Sequence, residues 1–446
     1  MTTVQSPPTP PAAIQRPRVV ARTGLYALLA ANAALTAWFF AQAGFASNAL
    51  IVIGRLTGLY AALVMAFQLV LVARLPWLDR RIGMDRLTSW HRWTGFALLW
   101  LLLAHAVFIA FGYAEGTDVG PVGQVVDLAE TTEGVLRAVV AFFLILLVGA
   151  VSARYARRRL AYETWHFIHL YTYVAVVLAF THQVAVGTTF ASSSVATAYW
   201  YIVWGAALGS LLLGRVVLPL WRNWRHQFRV TAVVPESDNV VSVYISGKDL
   251  DQLPARAGQF FLWRFLTRDR WWQANPFSLS AAPDGRTLRL TAKAAGDGSA
   301  ALRHVKVGTR VFAEGPYGAF TALHRVRSES LLIAGGVGVT PIRALLEEIE
   351  GHAVVVYRVG SDRDAVLYDE LRELALAKGA DLHLVTGPPV PDRLAPAELV
   401  KLVPDIAERD VFLCGPPPMM NAVLGTLREL NVPKAQTHFE RFSLAG

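Results

Sequence analysis

The sequence of 446 residues contains one cysteine, Cys414, which excludes a disulfide framework and any CxxC metal site. Charge is scarce: Asp, Glu, Lys and Arg make up 17% of the residues, against 54% hydrophobic ones, with mean hydropathy +0.38. A typical soluble domain carries about 25% charged residues, so the composition points to a membrane class. Lysine and arginine are missing from residues 113–134, and residues 187–196 carry no charge. No GxGxxG fingerprint and no EF-hand loop occurs, so calcium control is not expected and activity reads as constitutive. The net charge of +9 would raise nucleic acid as a partner, but many of the arginines flank apolar runs, which explains them more simply.

What is present begins with those apolar runs. Residues 1–22 are proline-rich and polar and read as disordered. The apolar run that follows is too long for a signal-peptide core and reads as a true span. Six spans are expected, near 24–43, 50–73, 90–112, 135–153, 165–186 and 197–219, within a membrane domain of residues 23–222. Arg16, Arg18 and Arg22, then Arg74, Arg80, Arg81 and Arg86, then Arg154, Arg157, Arg158 and Arg159, and finally Arg215, Arg222 and Arg225 fall on one side of that topology. The positive-inside rule makes this side cytoplasmic, with the N-terminus and the second half of the chain. The expected location is the plasma membrane, with the lipid bilayer as partner.

Ionisable side chains inside a span are costly and mark function by default. His91 and His105 lie on the third span, His166, His169 and His182 on the fifth. A step of 14 from 91 to 105 rises roughly 21 Å, and a step of 13 from 169 to 182 roughly 20 Å. Two such helices side by side could hold two haems stacked across the membrane, each with one imidazole from each helix. At about 100° per residue, the step of 14 returns to within about 40° of its start, while the step of 13 leaves two rings about 140° apart. The fifth span therefore needs tighter local winding or different approach angles. His166 to His182, at about 160°, is no better, so the wheel leaves His166 and His169 open.

From about 226 to 325 short β-rich runs punctuated by glycine and proline suggest a small antiparallel barrel. From 326 to 446 strands and helices alternate, which implies a doubly wound parallel sheet. The expected fold is thus a six-span α-helical membrane bundle, a β-barrel domain and an α/β nucleotide-binding domain. In IAGGVGVTP, Gly335, Gly336 and Gly338 follow a strand and open a helix, so a pyrophosphate can approach the backbone there. Cys414, Gly415 and Pro416 of CGPPP end a later strand of the same sheet and face the same crevice. The run Asn275, Pro276, Phe277, Ser278, Leu279, Ser280 offers a ring and two hydroxyls. Arg358 and Arg363, after the second strand, could pair with a 2′-phosphate, which favours NADPH while leaving NADH possible.

The order NPFSLS, KAAGDGS, EGPYG, GGVGVTP, CGPPPM and HFERF resembles the ferredoxin-NADP reductase family. With the histidine-bearing spans in front, residues 24–446 resemble the NADPH oxidase and transmembrane ferric reductase superfamily, its bacterial single-chain members above all. The superfamily places thirteen residues between its histidines on the third span and twelve on the fifth. That pattern selects His91, His105, His169 and His182 as ligands of two b-type haems and leaves His166 a supporting role near a propionate. The resemblance further implies FAD, with Phe277 against its ring, Ser278 near N5, and Lys293, Gly298 and Ser299 at its pyrophosphate. Phe442 would cover the flavin face. Gly336, Thr340, Pro341, Cys414, Gly415 and Pro416 would hold the nicotinamide nucleotide. Asn275 departs from the arginine or histidine of the family, which implies looser flavin binding.

Electrons would pass from NAD(P)H through FAD, which accepts two and releases them singly, to the inner and then the outer haem. Bis-histidine ligation leaves no axial site for oxygen. The acceptor outside is expected to be O2, giving superoxide, or Fe(III). Arg55, near the outer end of the second span, matches an oxidase arginine thought to serve oxygen, or else pairs with a propionate. The oxidases carry a histidine where this chain has Ile109, and the acidic segment 113–134 would suit ferric ions. An electron-carrier subunit for a protein or quinone is the third reading; the fused dehydrogenase makes an obligatory protein partner unnecessary.

Overall fold

Apolar runs of this length, with no water to satisfy their peptide groups, close their hydrogen bonds internally as helices. A computed structural model describes residues 16–157, 159–160, 162–387 and 394–440. Six of its helices are long and apolar enough to cross a membrane: Val19–Gln42, Ala49–Leu71, Met84–Ala114, Val135–Ser152, Thr164–Val186 and Ser194–His226. The protein is a multi-pass membrane protein. The first helix starts at Arg16, inside the segment expected to be irregular. The acidic segment 113–134 also holds a helix, Pro121–Thr131, with Pro121 at its first turn.

The chain divides into two units, one of Arg22–Leu75 and Arg86–Arg215, the other including Pro76–Asp85 and Val216–Gly446. In the first unit, small residues let helix backbones approach. Ala61, Ala62, Ala66, Ala141, Ala175, Ala196 and Ala207 are buried with Trp200 and Trp204. Trp93, Trp100, Leu136 and Phe143 remain exposed on the outside of the helices, as a lipid solvent permits. Asn48 caps the second span by accepting from the Leu50 N–H at 2.8 Å, a contribution of about 1 kcal/mol.

In the second unit, strands β1 (Arg229–Ser237), β2 (Val240–Ser246) and β5 (Thr287–Lys293) form one antiparallel sheet. Strands β4 (Asn275–Ser278), β3 (Phe260–Phe265) and β6 (Val311–Tyr317) form another. Single bridges, Arg229 to Arg310 and Leu279 to Leu290, link their edges. The expected barrel is therefore two three-stranded sheets joined at isolated bridges, with no continuous ladder around it among the described residues. Phe261, Trp263, Leu279 and Leu290 fill the space between them.

The nucleotide half is a parallel sheet ordered β11 (Thr437–Glu440), β10 (Asp410–Cys414), β7 (Ser330–Gly335), β8 (Ala353–Arg358), β9 (Asp381–Val385). From β7 the chain builds outward through β8 and β9, then returns to β10 on the other side. That reversal opens a crevice at the carboxyl ends of β7 and β10, where such sheets bind their ligands. A segment read as a loop between membrane spans also joins this unit. Helix Pro76–Ile82 brings the Asp79 carboxylate to the Gly318 N–H at 2.6 Å, and the Arg80 carbonyl lies 3.0 Å from His324 Nε2.

Candidate functional site

In the first unit the chemistry rests on imidazoles. The rings of His91 and His169 face each other with centroids 6.1 Å apart and planes at 68°. Two imidazoles that share one metal, each bound through a nitrogen at about 2 Å, would stand at about this separation. His169 thus meets the third span, and Trp165 packs 5.0 Å from the His169 ring and 6.4 Å from that of His166. The backbone of the fifth span packs on the fourth and leaves the third at a distance that the side chains bridge. Both histidines share a local arrangement: Thr94 Oγ1 donates to the His91 carbonyl at 3.3 Å, and Thr172 Oγ1 to the His169 carbonyl at 2.6 Å. Gln68 Nε2 adds a second donor to His91 O at 3.0 Å. The Ser152 hydroxyl lies 3.5 Å from His169 Nδ1 and accepts the Trp165 indole N–H at 3.1 Å.

At the other level, His105 Nδ1 lies 2.7 Å from the Gly54 carbonyl. A carbonyl can only accept, so Nδ1 carries the proton and Nε2 keeps its lone pair, the arrangement that metal-binding histidines use. A Cβ on Gly58 would stand 2.5 Å from His105 Nδ1, so only glycine lets the ring lie against the second span. His182 Nδ1 and His91 Nδ1 are buried without a hydrogen-bond partner. Arg55 follows Gly54 directly, and a Cβ on Gly54 would stand 2.9 Å from the side chain of Ile109. The fifth span stays α-helical from Tyr162 to Val186. No change of helix type therefore brings His169 and His182 onto one face. His91 and His169 fit a bis-imidazole site by donor type and separation, and at the other level His105 keeps Nε2 for a metal. Gly54, Gly58 and Gln68 escaped the sequence reading, although Gly54 and Gly58 form a small-xxx-small pair.

The flavin motif separates its two hydroxyls. Ser278 Oγ is buried at 4% exposure with no hydrogen-bond partner, which suits a donor aimed at a ligand. Ser280 Oγ is already taken by Arg289 Nε at 3.0 Å and Thr291 Oγ1 at 2.8 Å. Phe277 is half-buried on β4, opposite Phe261. Asn275 and Gly298 line a cavity of about 170 Å³, and a Cβ on Gly298 would stand 2.9 Å from Asn275 Oδ1. Ser299 Oγ accepts the Ala295 and Gly296 N–H groups at 2.9 and 3.2 Å and shapes that turn. Lys293 is exposed at the end of β5. These residues fit a flavin with its pyrophosphate at the turn.

In the crevice three glycines serve three needs. A Cβ on Gly335 would meet Met419 Sδ at 2.4 Å, and one on Gly338 would meet Cys414 O at 2.3 Å. Gly336 has φ +51° and open space around it, the conformation and access a phosphate-binding turn requires. Gly415 lies against Gly335 in the same way, so GGVGVTP and CGPPP touch. Helix Val339–Glu348 starts with no side-chain cap, which leaves N–H groups for an anion; Thr340 Oγ1 bonds Val337 O at 3.1 Å, and Pro341 is buried behind it. Burial, and then the Glu440 carboxylate, hold the Cys414 thiol well above its ordinary pKa. It is neutral and packs the crevice floor. Pro416 is exposed at its mouth. The Arg358 guanidinium is engaged by carbonyls, Gly387 O at 2.8 Å among them, while Arg363 is exposed. Phe442 lies outside the described residues.

Three family descriptions match the chain: a ferric reductase like transmembrane component over residues 57–180, an FAD-binding domain over 225–321 and an oxidoreductase NAD-binding domain over 332–424. The 3-ketosteroid-9-alpha-monooxygenase, ferredoxin reductase component of Mycobacterium tuberculosis (strain CDC 1551 / Oshkosh) is 33% identical over 259 residues, 53% of this chain and 68% of that protein. The toluate 1,2-dioxygenase electron transfer component of Pseudomonas putida is 29% identical over 235 residues, 50% and 68% of the two chains. A crystal structure of the flavohem-like FAD/NAD binding domain of nitric oxide dioxygenase from Vibrio cholerae O1 biovar El Tor is 26% identical. It covers 48% of this chain and 98% of its own, with a TM-score of 0.41.

Proposed function

Given that the chain belongs to the transmembrane ferric reductase and NADPH oxidase superfamily and is an NAD(P)H-dependent oxidoreductase, we propose that it carries electrons from cytoplasmic NAD(P)H through FAD and two b-type haems to an acceptor across the membrane, O2 giving superoxide. The observation that supports this most is the pairing of His91 with His169 at 6.1 Å on separate spans. His105, held by Gly54 with Nε2 available, supplies the second level with His182.

The crevice residues bind and orient. Gly336 and the N-terminus of helix Val339–Glu348 hold the dinucleotide pyrophosphate, and Arg363 is the exposed cation for a 2′-phosphate. The buried Ser278 hydroxyl, without a partner in the protein, would donate to the flavin edge. When bound, FAD would supply the change from two-electron to one-electron transfer, and haems held by His91, His169, His105 and His182 would supply one-electron redox sites. An inside-negative potential favours the outward step by about 2.3 kcal/mol per electron per 100 mV. Arg55, beside Gly54, would stabilise negative charge that forms near His105.

A second acceptor, Fe(III), is favoured by Ile109, which packs against Gly54 where an oxidase would carry a histidine. The relatives named as components of multi-protein oxygenases keep a protein acceptor as the third reading. The deciding experiment is NADPH consumption by FAD-supplemented protein, run with oxygen and superoxide dismutase, and run anaerobically with ferric chelate. Cytochrome c reduction sensitive to the dismutase is the expected result. Brisk iron reduction without any superoxide would reject oxygen as the acceptor.

A further inference from the structure

Ser280 ends the flavin motif inside a brace that ties that motif to the nucleotide half. Its carbonyl accepts from Arg289 Nη2 at 2.6 Å and Arg343 Nη1 at 3.4 Å. Both guanidinium groups are buried, with side chains 6% and 8% exposed, and both end on Glu370. Arg289 Nη1 reaches the two Glu370 oxygens at 2.9 Å each, and Arg343 Nη2 reaches Oε1 at 2.7 Å. Arg343 also pairs with Glu347 at 3.0 Å, whose other oxygen accepts the Ala282 N–H at 2.6 Å. Glu348 takes the Ala257 N–H at 2.8 Å.

The placement of this brace gives it a consequence beyond stability. Ser280 lies two residues after Ser278, and Arg343 lies three after Thr340, on the helix that opens the dinucleotide turn. A buried ion pair adds little net stability over an apolar packing, yet it fixes geometry wherever two charged forks converge on one carboxylate. We infer that the Arg289–Arg343–Glu370 brace positions the flavin edge against the nicotinamide helix and so sets the distance of hydride transfer. In that step the nicotinamide C4–H bond breaks with its electron pair. The hydride passes to the flavin, which is reduced by two electrons, and the dinucleotide leaves oxidised. The three residues touch neither reactant and act through Ser280 and the helix. The inference rests on the NAD(P)H-to-FAD reading.

The test uses the full chain in detergent with FAD. Flavin bleaching by NADPH and by C4-deuterated NADPH is followed anaerobically, beside FAD and NADP+ affinity and amide hydrogen exchange over residues 280–282. Glu370→Ala is expected to keep both affinities within about 2-fold. It should slow hydride transfer by about 10- to 100-fold, since a displacement near 1 Å costs on that scale, enlarge the isotope effect and speed exchange at Ala282. Glu370→Gln, which keeps two acceptor contacts, should restore most of the rate. Arg343→Lys, which keeps the charge without the fork, should repeat the loss and covers the case of a Glu370→Ala protein that does not fold. An unchanged bleaching rate in a folded Glu370→Ala or Arg343→Lys protein overturns the brace alone. A wild-type protein that NADPH does not bleach overturns the parent reading and the brace with it.

Discussion

The two halves of this chain keep their chemistry in different parts of the residue. In the membrane half the proposed chemistry lies in side chains: imidazoles that helix spacing carries to two levels, one of them held by the Gly54 carbonyl. In the dehydrogenase half it lies largely in the backbone, at turns where Gly335, Gly336 and Gly338 let a ligand or a neighbouring strand come close. A side-chain site fails when its ligand is removed. A backbone site fails when something is added.

The largest effect is expected from His105→Ala. Haem content should fall from two per chain to one, and electron delivery to the far acceptor should stop while NADPH still bleaches the flavin. Pyridine haemochrome analysis alongside anaerobic flavin spectra checks it. Retention of both haems would remove His105 from the ligand set.

Next comes the smallest addition the nucleotide half can receive. In Gly338→Ala the new Cβ would stand 2.3 Å from the Cys414 carbonyl oxygen, where only backbone movement relieves the overlap. Overpacking of this kind costs about 1–3 kcal/mol. Gly336→Ala meets no neighbour and pays only for its φ of +51°, about 1–2 kcal/mol. Chemical denaturation of the two variants should rank Gly338→Ala as the less stable, and NADP+ binding should weaken in both. The reverse order would mean that the two motifs do not touch as described.

These sites differed in how far the sequence announced them. Histidines in apolar spans stand out because lipid penalises them, and glycines after a strand stand out because few positions need them. The separation of Ser278 from Ser280 could not be read from NPFSLS, since it depends on Arg289 and Thr291 arriving from β5 to take one hydroxyl and not the other. Arginine and glutamate in a polar stretch look like solvated surface until the fold buries them. Residues 76–82 carried charges that set topology, and nothing in their pattern told that Asp79 would bind the Gly318 amide. The edge bridges that replace a full barrel ladder were hidden for the same reason: strand runs are local, whereas their closure is not.

Gly58→Ala brings the two kinds of failure together, because it adds an atom in the membrane half. The Cβ would stand 2.5 Å from His105 Nδ1 and push the ring off the Gly54 carbonyl. The hydrogen bond lost is worth about 1 kcal/mol. Haem content should stay at two, and the midpoint potential of one haem alone should shift in a redox titration. A shift in both haems would show that the levels do not act separately.

The smallest effect on stability belongs to Ser278→Ala. Removing a hydroxyl normally strands its partner, and the stranded group accounts for most of the cost. Ser278 Oγ has no partner within the protein, so alanine leaves nothing stranded, and unfolding of the FAD-free protein should move by less than about 0.5 kcal/mol. With FAD bound, one hydrogen bond is missing, worth about 0.5–1.5 kcal/mol. FAD affinity should therefore weaken by about 2- to 13-fold. Ser280→Ala reverses the pattern: it strands Arg289 Nε in a buried site, while Thr291 Oγ1 keeps Ser242 Oγ at 2.8 Å, and it should destabilise the protein even without flavin, by about 1–3 kcal/mol. If the two serines behaved alike in the FAD-free protein, the division of one motif into a ligand-facing hydroxyl and a structural one would be wrong.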